Sequence, residues 1–400
     1  MATKQTIRDI QSLRGTRVFV RVDFNVPMDG ATITEDTRIR AAVPTLQFLR
    51  EAGAELVLAS HLGRPKKGPT PDLSLGPIAK RLAELMGCEV DLAGDSIGDD
   101  VRTRAGALKP GGLLLLENVR FHPQEEANDS GFAKALIDDS GATVFVNDAF
   151  GTAHRAHAST AGVAPFVKQR VAGLLMEKEV HYLGLALASP PQPYVAIIGG
   201  AKVSDKITVI ENLLPRVDSL LIGGGMAYTF FKAMGYNTAK SLVEEDKVSL
   251  AASLLEAGKG KILLPFDHVV ASAFRADAET KTLPVTEIPE NWMGLDIGPM
   301  TVEVFGKEIR KAALVLWNGP MGVFEMKPFA AGTFAVAQAL AESKATTIVG
   351  GGDSVAAISE SGLMNRITHV STGGGASLEF LGGDVLPGVA CLDEGETESQ

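Results

Sequence analysis

The sequence has little of what marks secreted, membrane or nucleic-acid-binding proteins. Only two of its 400 residues are cysteines, Cys88 and Cys391, which is too few for a disulfide framework and favours a reducing compartment. No apolar run approaches the roughly 18 residues that a membrane-spanning helix needs, and the first ten residues lack the apolar core of a signal peptide. The net charge of −10 argues against a general binder of nucleic acid or anionic membranes. We therefore expect a cytoplasmic protein with no membrane partner and no nucleic-acid partner.

Several familiar catalytic signatures are also missing. The chain has no G-x-x-x-x-G-K-[ST] P-loop, no G-x-G-x-x-G dinucleotide fingerprint and no G-x-S-x-G nucleophile elbow. His154 and His157 alone are a weak zinc signal, because a zinc site needs three or four ligands with local spacing. Dinucleotide binding, serine hydrolysis and zinc binding are therefore disfavoured.

Short apolar runs rich in Val, Ile and Leu recur along the whole chain and alternate with helical patterns. Continuous runs of this length are typical of strands buried on both faces, as in a parallel sheet with helices on either side. The fold class predicted is α/β with two lobes, each a doubly wound, mostly parallel sheet flanked by helices, joined by a helix. The predicted strands are 17–22, 55–59, 113–116 and 143–146 in the first half, and 194–198, 219–222, 261–264, 312–316 and 346–349 in the second. The clearest helical patterns are 39–52, 75–86 and 329–343.

The junction between the lobes is predicted at residues 176–192. This stretch has a helical pattern that ends at Ser189, and the Pro190-Pro191 pair then breaks it before a new strand. The predicted domains are therefore residues 1–175 and 193–387, with 176–192 as an interdomain helix and hinge.

The first half places cationic side chains just beyond its predicted strands. Ligands of doubly wound sheets bind beyond the carboxyl ends of the strands, and arginine holds carboxylate or phosphate through paired hydrogen bonds. Any one of these arginines is more simply an ordinary surface residue or one half of an ion pair. Their coincidence over four strand ends instead predicts a pocket for a small, multiply anionic ligand. The polar residues concerned are Asp23, Asn25, Arg38, His61, Arg64, Arg120 and Arg155.

The second half places glycines at its predicted strand ends. Glycine clusters 199–200, 223–225, 350–352 and 373–375 each open a helical pattern. One cluster would be explained by a tight turn, but four indicate a backbone surface that approaches a polyphosphate. Asp353 follows one of these clusters and is the natural carboxylate for Mg²⁺. Glu325 is explained equally well as a ligand of the ribose hydroxyls or as part of a helix-capping turn. A small anion on one half and a nucleoside triphosphate on the other predict phosphoryl transfer across a cleft.

The segment GGAKVSDK (199–206) lies at the middle of the chain, between a predicted strand and a predicted helix. Glycines followed by lysine at the start of a helix suit phosphate binding, although a plain strand–helix turn explains them about as well. Lys202 and Lys206 are four residues apart, so we expect them on one helical face, directed toward Arg38. Which lysine meets the transferring phosphoryl group and which holds the nucleotide stays open.

Ten motifs of the chain resemble those of phosphoglycerate kinases, in the family's order and over nearly the whole length. They are RVDFNVP (21–27), SHLGRP (60–65), LLENVRFH (115–122), NDAFGTAHRAHAS (147–159), GGAKVSDK (199–206), GGGMA (223–227), WMGLDIGP (292–299), WNGPMGVFE (317–325), GGGDS (350–354) and STGGGASLE (371–379). The resemblance implies reversible phosphoryl transfer between 1,3-bisphosphoglycerate and ADP by a monomer, with Mg²⁺ as cofactor. It also implies that residues 388–400 pack back on the first lobe. Ser354 departs from the family's usual threonine but keeps a hydroxyl.

The resemblance also implies roles for individual residues. The acid substrate would contact Asp23, Asn25, Arg38, His61, Arg64, Arg120 and Arg155. The nucleotide would contact Lys202, Lys206, Gly294, Glu325, Gly351, Gly352, Asp353 and Ser354, with Asp353 addressing the metal. Charge on the transferring group would be met by Arg38, Lys202 and the helix start at Gly374 and Gly375.

Two rival functions remain open from the sequence. One is another small-acid kinase on a similar two-lobed frame, which would phosphorylate acetate or glycerate. The other is a non-catalytic two-lobed protein that closes on an anion, which would need neither the glycine clusters nor phosphoryl transfer.

Overall fold

A computed structural model of the chain describes residues 4–66 and 68–395. The chain forms two compact units. The first comprises the chain up to His181 together with the segment from Val385 onward, and the second is Tyr182–Asp384. None of the helices in the described part combines the length and hydropathy that spanning a bilayer requires.

The first unit is built on a six-stranded parallel sheet in the order β5-β6-β4-β1-β7-β8. The chain runs outward from β1 to one side and then returns to continue on the other, so the strand order reverses between β1 and β7. The strands are β1 (Arg17–Arg21), β2 (Met28–Asp29), β3 (Thr32–Ile33), β4 (Glu55–Ala59), β5 (Asp91–Leu92), β6 (Leu113–Leu115), β7 (Val144–Asn147) and β8 (Gln169–Ala172), of which β2 and β3 form a separate antiparallel pair.

The second unit contains a six-stranded parallel sheet in the order β11-β10-β9-β15-β16-β17. Its strand order reverses between β9 and β15. A three-stranded antiparallel sheet, β13-β12-β14, lies in the same unit. The strands are β9 (Tyr194–Ile198), β10 (Ser219–Ile222), β11 (Ile262–Leu263), β12 (Asp267–Ala271), β13 (Thr280–Pro284), β14 (Met293–Ile297), β15 (Leu314–Asn318), β16 (Thr346–Gly350) and β17 (His369–Val370).

Helices connect the parallel strands. The helices are α1 (Thr37–Glu51), α2 (Gly76–Met86), α3 (Asp99–Gly106), α4 (Ser130–Ser140), α5 (Leu174–Ala188), α6 (Ile207–Leu213), α7 (Ala227–Ala233), α8 (Val248–Ala257), α9 (Pro299–Lys311), α10 (Ala331–Glu342), α11 (Gly352–Glu360), α12 (Gly375–Leu381) and α13 (Pro387–Ala390). The predicted two-unit α/β architecture with parallel sheets is confirmed.

The central strands are buried along their whole length, as their apolar runs predict. Every residue of β9 and β15 is buried, and β7 is buried throughout. Helices therefore cover both faces of each parallel sheet, and the apolar core of each unit lies between the sheet and its helices.

Helix α5 contains the division between the two units and ends one residue before the predicted stop. The Pro190-Pro191 pair follows, and β9 begins at Tyr194. Beyond the second unit, the described residues 385–395 belong to the first unit, and residues 396–400 of the predicted C-terminal segment lie outside the described residues. There Gly388 N donates to Ala153 O at 2.8 Å, and Asn147 Nδ2 donates to Gly388 O at 2.8 Å.

Candidate active site

Four neighbouring strands of the first sheet end at one edge, because β6, β4, β1 and β7 are adjacent and parallel. The loops after β1 and β4 are tied together there. Asn25 Oδ1 accepts a hydrogen bond from Gly63 N at 2.8 Å, and Arg38 Nη1 donates to Asn25 O at 3.0 Å. The same Nη1 lies 3.2 Å from Asp23 Oδ2. Arg38 is the second residue of α1, not a loop residue ahead of the helix as the sequence pattern indicates.

Arg120 joins this edge from a single 3-10 turn, Val119–Phe121, after β6. Its Nη1 donates to Gly63 O at 2.9 Å and its Nε lies 3.3 Å from Glu126 Oε1. The side chain is only 10% exposed. Burial lowers the pKa of Arg120, and the nearby charges of Arg155 and Arg64 lower it further. Three arginines predicted for the anion site therefore act on one another electrostatically.

His61 is buried two residues beyond β4, and Arg64 and Arg155 are exposed. Arg155 Nε lies 3.0 Å from His154 Nε2. Burial first, and then repulsion from Arg21, holds the pKa of His61 well below its ordinary value. The structure therefore brings a neutral histidine and several arginines to the edge that the sequence predicts.

Arg21 is the charged residue that sequence reasoning missed. It is the last residue of β1, its side chain is buried, and its Nη2 lies 3.2 Å from His61 Nδ1. The signal was present in the sequence, since a charged residue inside the apolar run RVFVRVDF is costly to bury without a partner.

His122 and His157, two other histidines of the first unit, differ in their surroundings. His122 Nε2 lies 2.6 Å from Asp95 Oδ1, and its ring stacks on Phe132 with centroids 5.0 Å apart. Burial lowers the pKa of His157 to about 4. Among the residues that the structure describes, no group of three or more His, Cys, Asp or Glu is placed to hold a metal ion.

In the second unit the glycine clusters meet where the strand order reverses. Gly199 N donates to Asn318 O at 2.9 Å, Gly200 N to Pro320 O at 3.0 Å and Gly224 N to Met321 O at 3.1 Å. A Cβ at position 199 would lie 2.2 Å from Pro320 O. These glycines are therefore required for close packing of the turns, whatever ligand approaches them.

The lysines of GGAKVSDK do not share a helical face, so that prediction is wrong. Helix α6 begins only at Ile207, and residues 199–206 form an irregular turn in which Lys206 N donates to Val203 O at 2.8 Å. The side chain of Val203 is buried, so it anchors the turn in the apolar interior of the second unit. Gly200 has φ +107°, a conformation that interrupts helix formation.

The two lysines also differ in environment. Lys206 Nζ donates to Asn318 Oδ1 at 2.5 Å, and burial lowers its pKa. Lys202 is exposed. Asp353 is exposed in the first turn of α11, close enough that its charge acts on Lys206. The turn 199–206 and the start of α11 therefore lie at the same edge of the sheet.

Helix α11 starts in the glycine cluster that follows β16. Gly351 has φ +88°, and a Cβ there would lie 3.1 Å from Asn318 Nδ2. Gly352 is the first helical residue and is exposed. The Ser354 hydroxyl is buried and accepts from Gly319 N at 2.6 Å, so this side chain holds the neighbouring loop.

The remaining predicted residues lie in three places of the second unit. Gly294 in β14 packs on Tyr228, whose hydroxyl would lie 1.4 Å from an added Cβ, and both line a small recess. Glu325 is exposed in the turn after β15. Gly374 has φ +52° and precedes Gly375, the first residue of α12. An added Cβ at either glycine would meet nothing within 4 Å, so a ligand can approach this backbone.

The chain matches a model of one protein family, described as phosphoglycerate kinase, over residues 7–384. The chain belongs to the phosphoglycerate kinase family. It is 57% identical over 403 residues to a cytosolic phosphoglycerate kinase of Triticum aestivum, covering 98% of this chain and 100% of the relative. It is also 57% identical over 395 residues to the phosphoglycerate kinase of Chloroherpeton thalassium, covering 97% of this chain and 99% of the relative.

Solved phosphoglycerate kinases share the fold. The structure from Coxiella burnetii is 42% identical, with a TM-score of 0.89 over 97% of this chain and 98% of that chain. The structure from Pyrococcus horikoshii OT3 is 34% identical, with a TM-score of 0.84 over 97% of this chain and 98% of that chain. The phosphoglycerate kinase family expected from the motifs is confirmed.

Proposed function

We propose that this member of the phosphoglycerate kinase family binds 3-phosphoglycerate at the arginine-rich edge of its first unit and a nucleotide at the glycine-rich edge of its second unit. The reaction is the family's reversible phosphoryl transfer between 1,3-bisphosphoglycerate and ADP, with a carboxyl group as the acceptor in the ATP-consuming direction. The observation that carries the site assignment is the convergence of Arg38, Arg120 and His61 on one sheet edge.

The acid substrate would be held by the residues of that edge. Arg120 and Arg38 are oriented in part by the carbonyl oxygens of Gly63 and Asn25, and a carbonyl orients a guanidinium without neutralising its charge. Such oriented guanidinium groups suit a ligand with a phosphate and a carboxylate. The substrate-binding set proposed is Asp23, Asn25, Arg38, His61, Arg64, Arg120 and Arg155.

The nucleotide would be held by backbone and lysine at the second edge. Lys206, oriented by Asn318, would hold the nucleotide phosphates, whereas the exposed Lys202 would meet the transferring phosphoryl group together with Arg38. Gly294 and Glu325 would contact the nucleoside, and Gly351 and Gly352 the phosphates. Ser354 would act through the loop that its hydroxyl holds, and the backbone at Gly374 and Gly375 would meet charge on the transferring group.

Asp353 would hold the Mg²⁺ that arrives with the nucleotide, where the ion would neutralise phosphate charge. A single exposed carboxylate fits this assignment, because protein-bound Mg²⁺ commonly takes one or two carboxylates and completes its shell with phosphate oxygens and water. Lys206 beside it contributes a second positive charge to the same phosphates.

The proposed reaction depends on the positioning of the substrates and on stabilisation of phosphoryl charge more than on proton transfer. The acceptor carboxylate is already ionised at neutral pH, so no general base is needed. The protein's own contribution is in-line alignment and donors aimed at the transferring group. Hinge closure would bring the two bound substrates together and exclude water.

We propose that the protein acts in the cytoplasm as a monomer. Plant relatives are named cytosolic.

A coupled assay of ADP formation tests the function. We expect ATP consumption with 3-phosphoglycerate, loss of activity when EDTA removes Mg²⁺, and recovery when MgCl₂ is restored. Acetate or glycerate in place of 3-phosphoglycerate should support little turnover. Preference for either of these acids would favour the other small-acid kinase, and ligand binding without any phosphoryl transfer would favour the non-catalytic binding protein.

A further inference from the structure

Arg21 lies directly behind the proposed acid-substrate site and forms a buried hydrogen-bond network. Its side chain is 1% exposed at the end of β1. Its Nε donates to Ser159 Oγ at 2.7 Å, its Nη1 donates to the carbonyl of Val22, and its Nη2 lies 3.2 Å from His61 Nδ1. Each nitrogen of the guanidinium therefore has its own partner, and one of these partners is a proposed substrate ligand.

The direction of each hydrogen bond follows from the chemistry of the two ends. A guanidinium has only donors and stays protonated in proteins, whereas an ionised carboxylate has only acceptors. Ser159 Oγ accepts from Arg21, so its own proton goes to Glu125 Oε1 at 2.6 Å. Glu125 Oε2 also accepts from Ser159 N at 2.8 Å. The buried positive charge is thereby connected through one hydroxyl to a buried negative charge.

The same reasoning determines the protonation of the His61 ring. Because Arg21 can only donate, His61 Nδ1 must offer a lone pair, and the single proton of the neutral ring must lie on Nε2. Nε2 forms no hydrogen bond with any residue in the described part of the chain. It is therefore the ring atom that remains available for a ligand.

We propose that Arg21 is a positioning residue that locks His61 in the Nε2–H tautomer, so that the ring presents a neutral hydrogen-bond donor to an anionic oxygen of the acid substrate. This inference rests on the proposed function and adds a residue to it. Arg21 acts through His61 and does not itself touch the substrate. A donor that carries no charge of its own adds directional specificity to a site whose attraction is supplied by arginines.

Burial and nearby positive charges together keep the ring of His61 neutral. Burial is the main cause, and the positive charges of Arg21, Arg120 and Arg38 act in the same direction, as does His157. Burial lowers the pKa of Arg21, and the charges of Glu125 and Asp23 act in the opposite direction and favour its protonated form. The donor at Nε2 should therefore persist over the whole range in which a solvent-exposed histidine would titrate.

Nitrogen-15 NMR of the wild-type protein labelled at histidine tests the tautomer directly. We expect His61 to show an unprotonated Nδ1, a protonated Nε2 and no titration between pH 5.5 and 8. Saturating 3-phosphoglycerate should shift the Nε2 resonance. A proton on Nδ1, or an ordinary titration, would overturn the proposal whatever any variant does.

Kinetics of Arg21→Met test the consequence for the substrate. We expect a mixture of tautomers at His61 and a rise in KM for 3-phosphoglycerate of about tenfold to a hundredfold, which corresponds to losing one hydrogen bond to a charged group. KM for ATP should change little. Arg17→Met is the matched control, since Arg17 lies at the other end of β1 and pairs with Glu55 Oε2 at 2.9 Å.

Two outcomes would overturn the positioning role. One is a folded Arg21→Met protein that keeps the Nε2–H tautomer, and the other is a changed tautomer with an unchanged KM for 3-phosphoglycerate. Failure of the proposed function itself would look different, because the wild-type protein would then show no turnover with 3-phosphoglycerate.

Discussion

At the scale of single residues, the arginines of the first unit differ in how far their charge is already matched. Arg38 is shared between a carboxylate, Asp23, and the carbonyl of Asn25. Its side chain is 33% exposed, so part of the guanidinium faces solvent while the rest is held. A residue that is oriented but incompletely neutralised suits transient contact with a phosphoryl group. Lys202 is exposed at the edge of the other sheet.

We predict that Arg38→Ala and Lys202→Ala each lower kcat by about two orders of magnitude, because removal of one donor aimed at transition-state charge has that effect in other enzymes. Nucleotide affinity, measured by calorimetry, should survive in both variants. Arg40→Ala is the control, since Arg40 lies on the same helix and pairs with Asp36 at 2.7 Å. Near-normal turnover in either test variant would refute its catalytic role.

At the scale of elements, the start of α5 is anchored by side chains from two other elements of the first unit. Asp148, which follows β7, accepts from Leu175 N at 2.9 Å and Met176 N at 3.2 Å through the same oxygen. Thr45 of α1 accepts from Leu174 N at 2.9 Å through its hydroxyl. These bonds satisfy N–H groups that a helix start leaves without partners. Burial raises the pKa of Asp148 to about 6.

This pKa predicts a pH-dependent contribution to stability. The folded-state pKa lies above the ordinary aspartate value of 3.8, so the folded protein retains a proton that the unfolded chain has lost. The contribution is fully present below about pH 4 and is lost as pH rises through about 6. We expect Asp148→Asn to remove this dependence. The variant should gain about 1–2 kcal/mol relative to wild type between pH 4.5 and 7.5, given 1.36 kcal/mol per pKa unit.

Urea unfolding of both proteins at pH 4.5, 6 and 7.5 measures the difference. The amide keeps an oxygen to accept from the two N–H groups and carries no charge, so the comparison isolates ionisation from capping. A free-energy difference that stays constant across the three pH values would contradict the assignment.

At the scale of the whole molecule, the two ligands are proposed to bind to different units. Each unit has its own parallel sheet and its own apolar core. Transfer without hydrolysis of ATP requires that the bound substrates meet with water excluded. If closure serves this purpose, one ligand bound to one unit should not be enough to cause it.

We predict that the radius of gyration from small-angle X-ray scattering falls only when 3-phosphoglycerate and a non-hydrolysable Mg–ATP analogue are both present. Each ligand alone should leave it nearly unchanged, and these two single-ligand samples are the controls. An identical radius in all four samples, including the ligand-free protein, would count against closure as part of the mechanism.

The sequence by itself determined the central strands of the two parallel sheets and the kinds of residue at their edges. Runs such as residues 194–198 and 219–222 coincide with β9 and β10, because a strand buried on both faces must be continuously apolar. The arginines of the first unit and the glycines of the second unit follow parallel strands in the sequence. Because parallel strands bring their carboxyl ends to one edge, chain order alone predicts that each set gathers at one edge of its sheet. The antiparallel strand β13 escaped prediction because it is largely exposed and has no apolar run.

Only the tertiary structure decided which side chains act together. The four-residue spacing of Lys202 and Lys206 indicated a shared helical face, but the left-handed Gly200 and the buried Val203 impose an irregular turn. The Ser354 hydroxyl is held by Gly319, 35 positions away. The tautomer of His61 is likewise determined by Arg21, 40 positions away. Local periodicity cannot contain such contacts, because they form only when distant segments pack together.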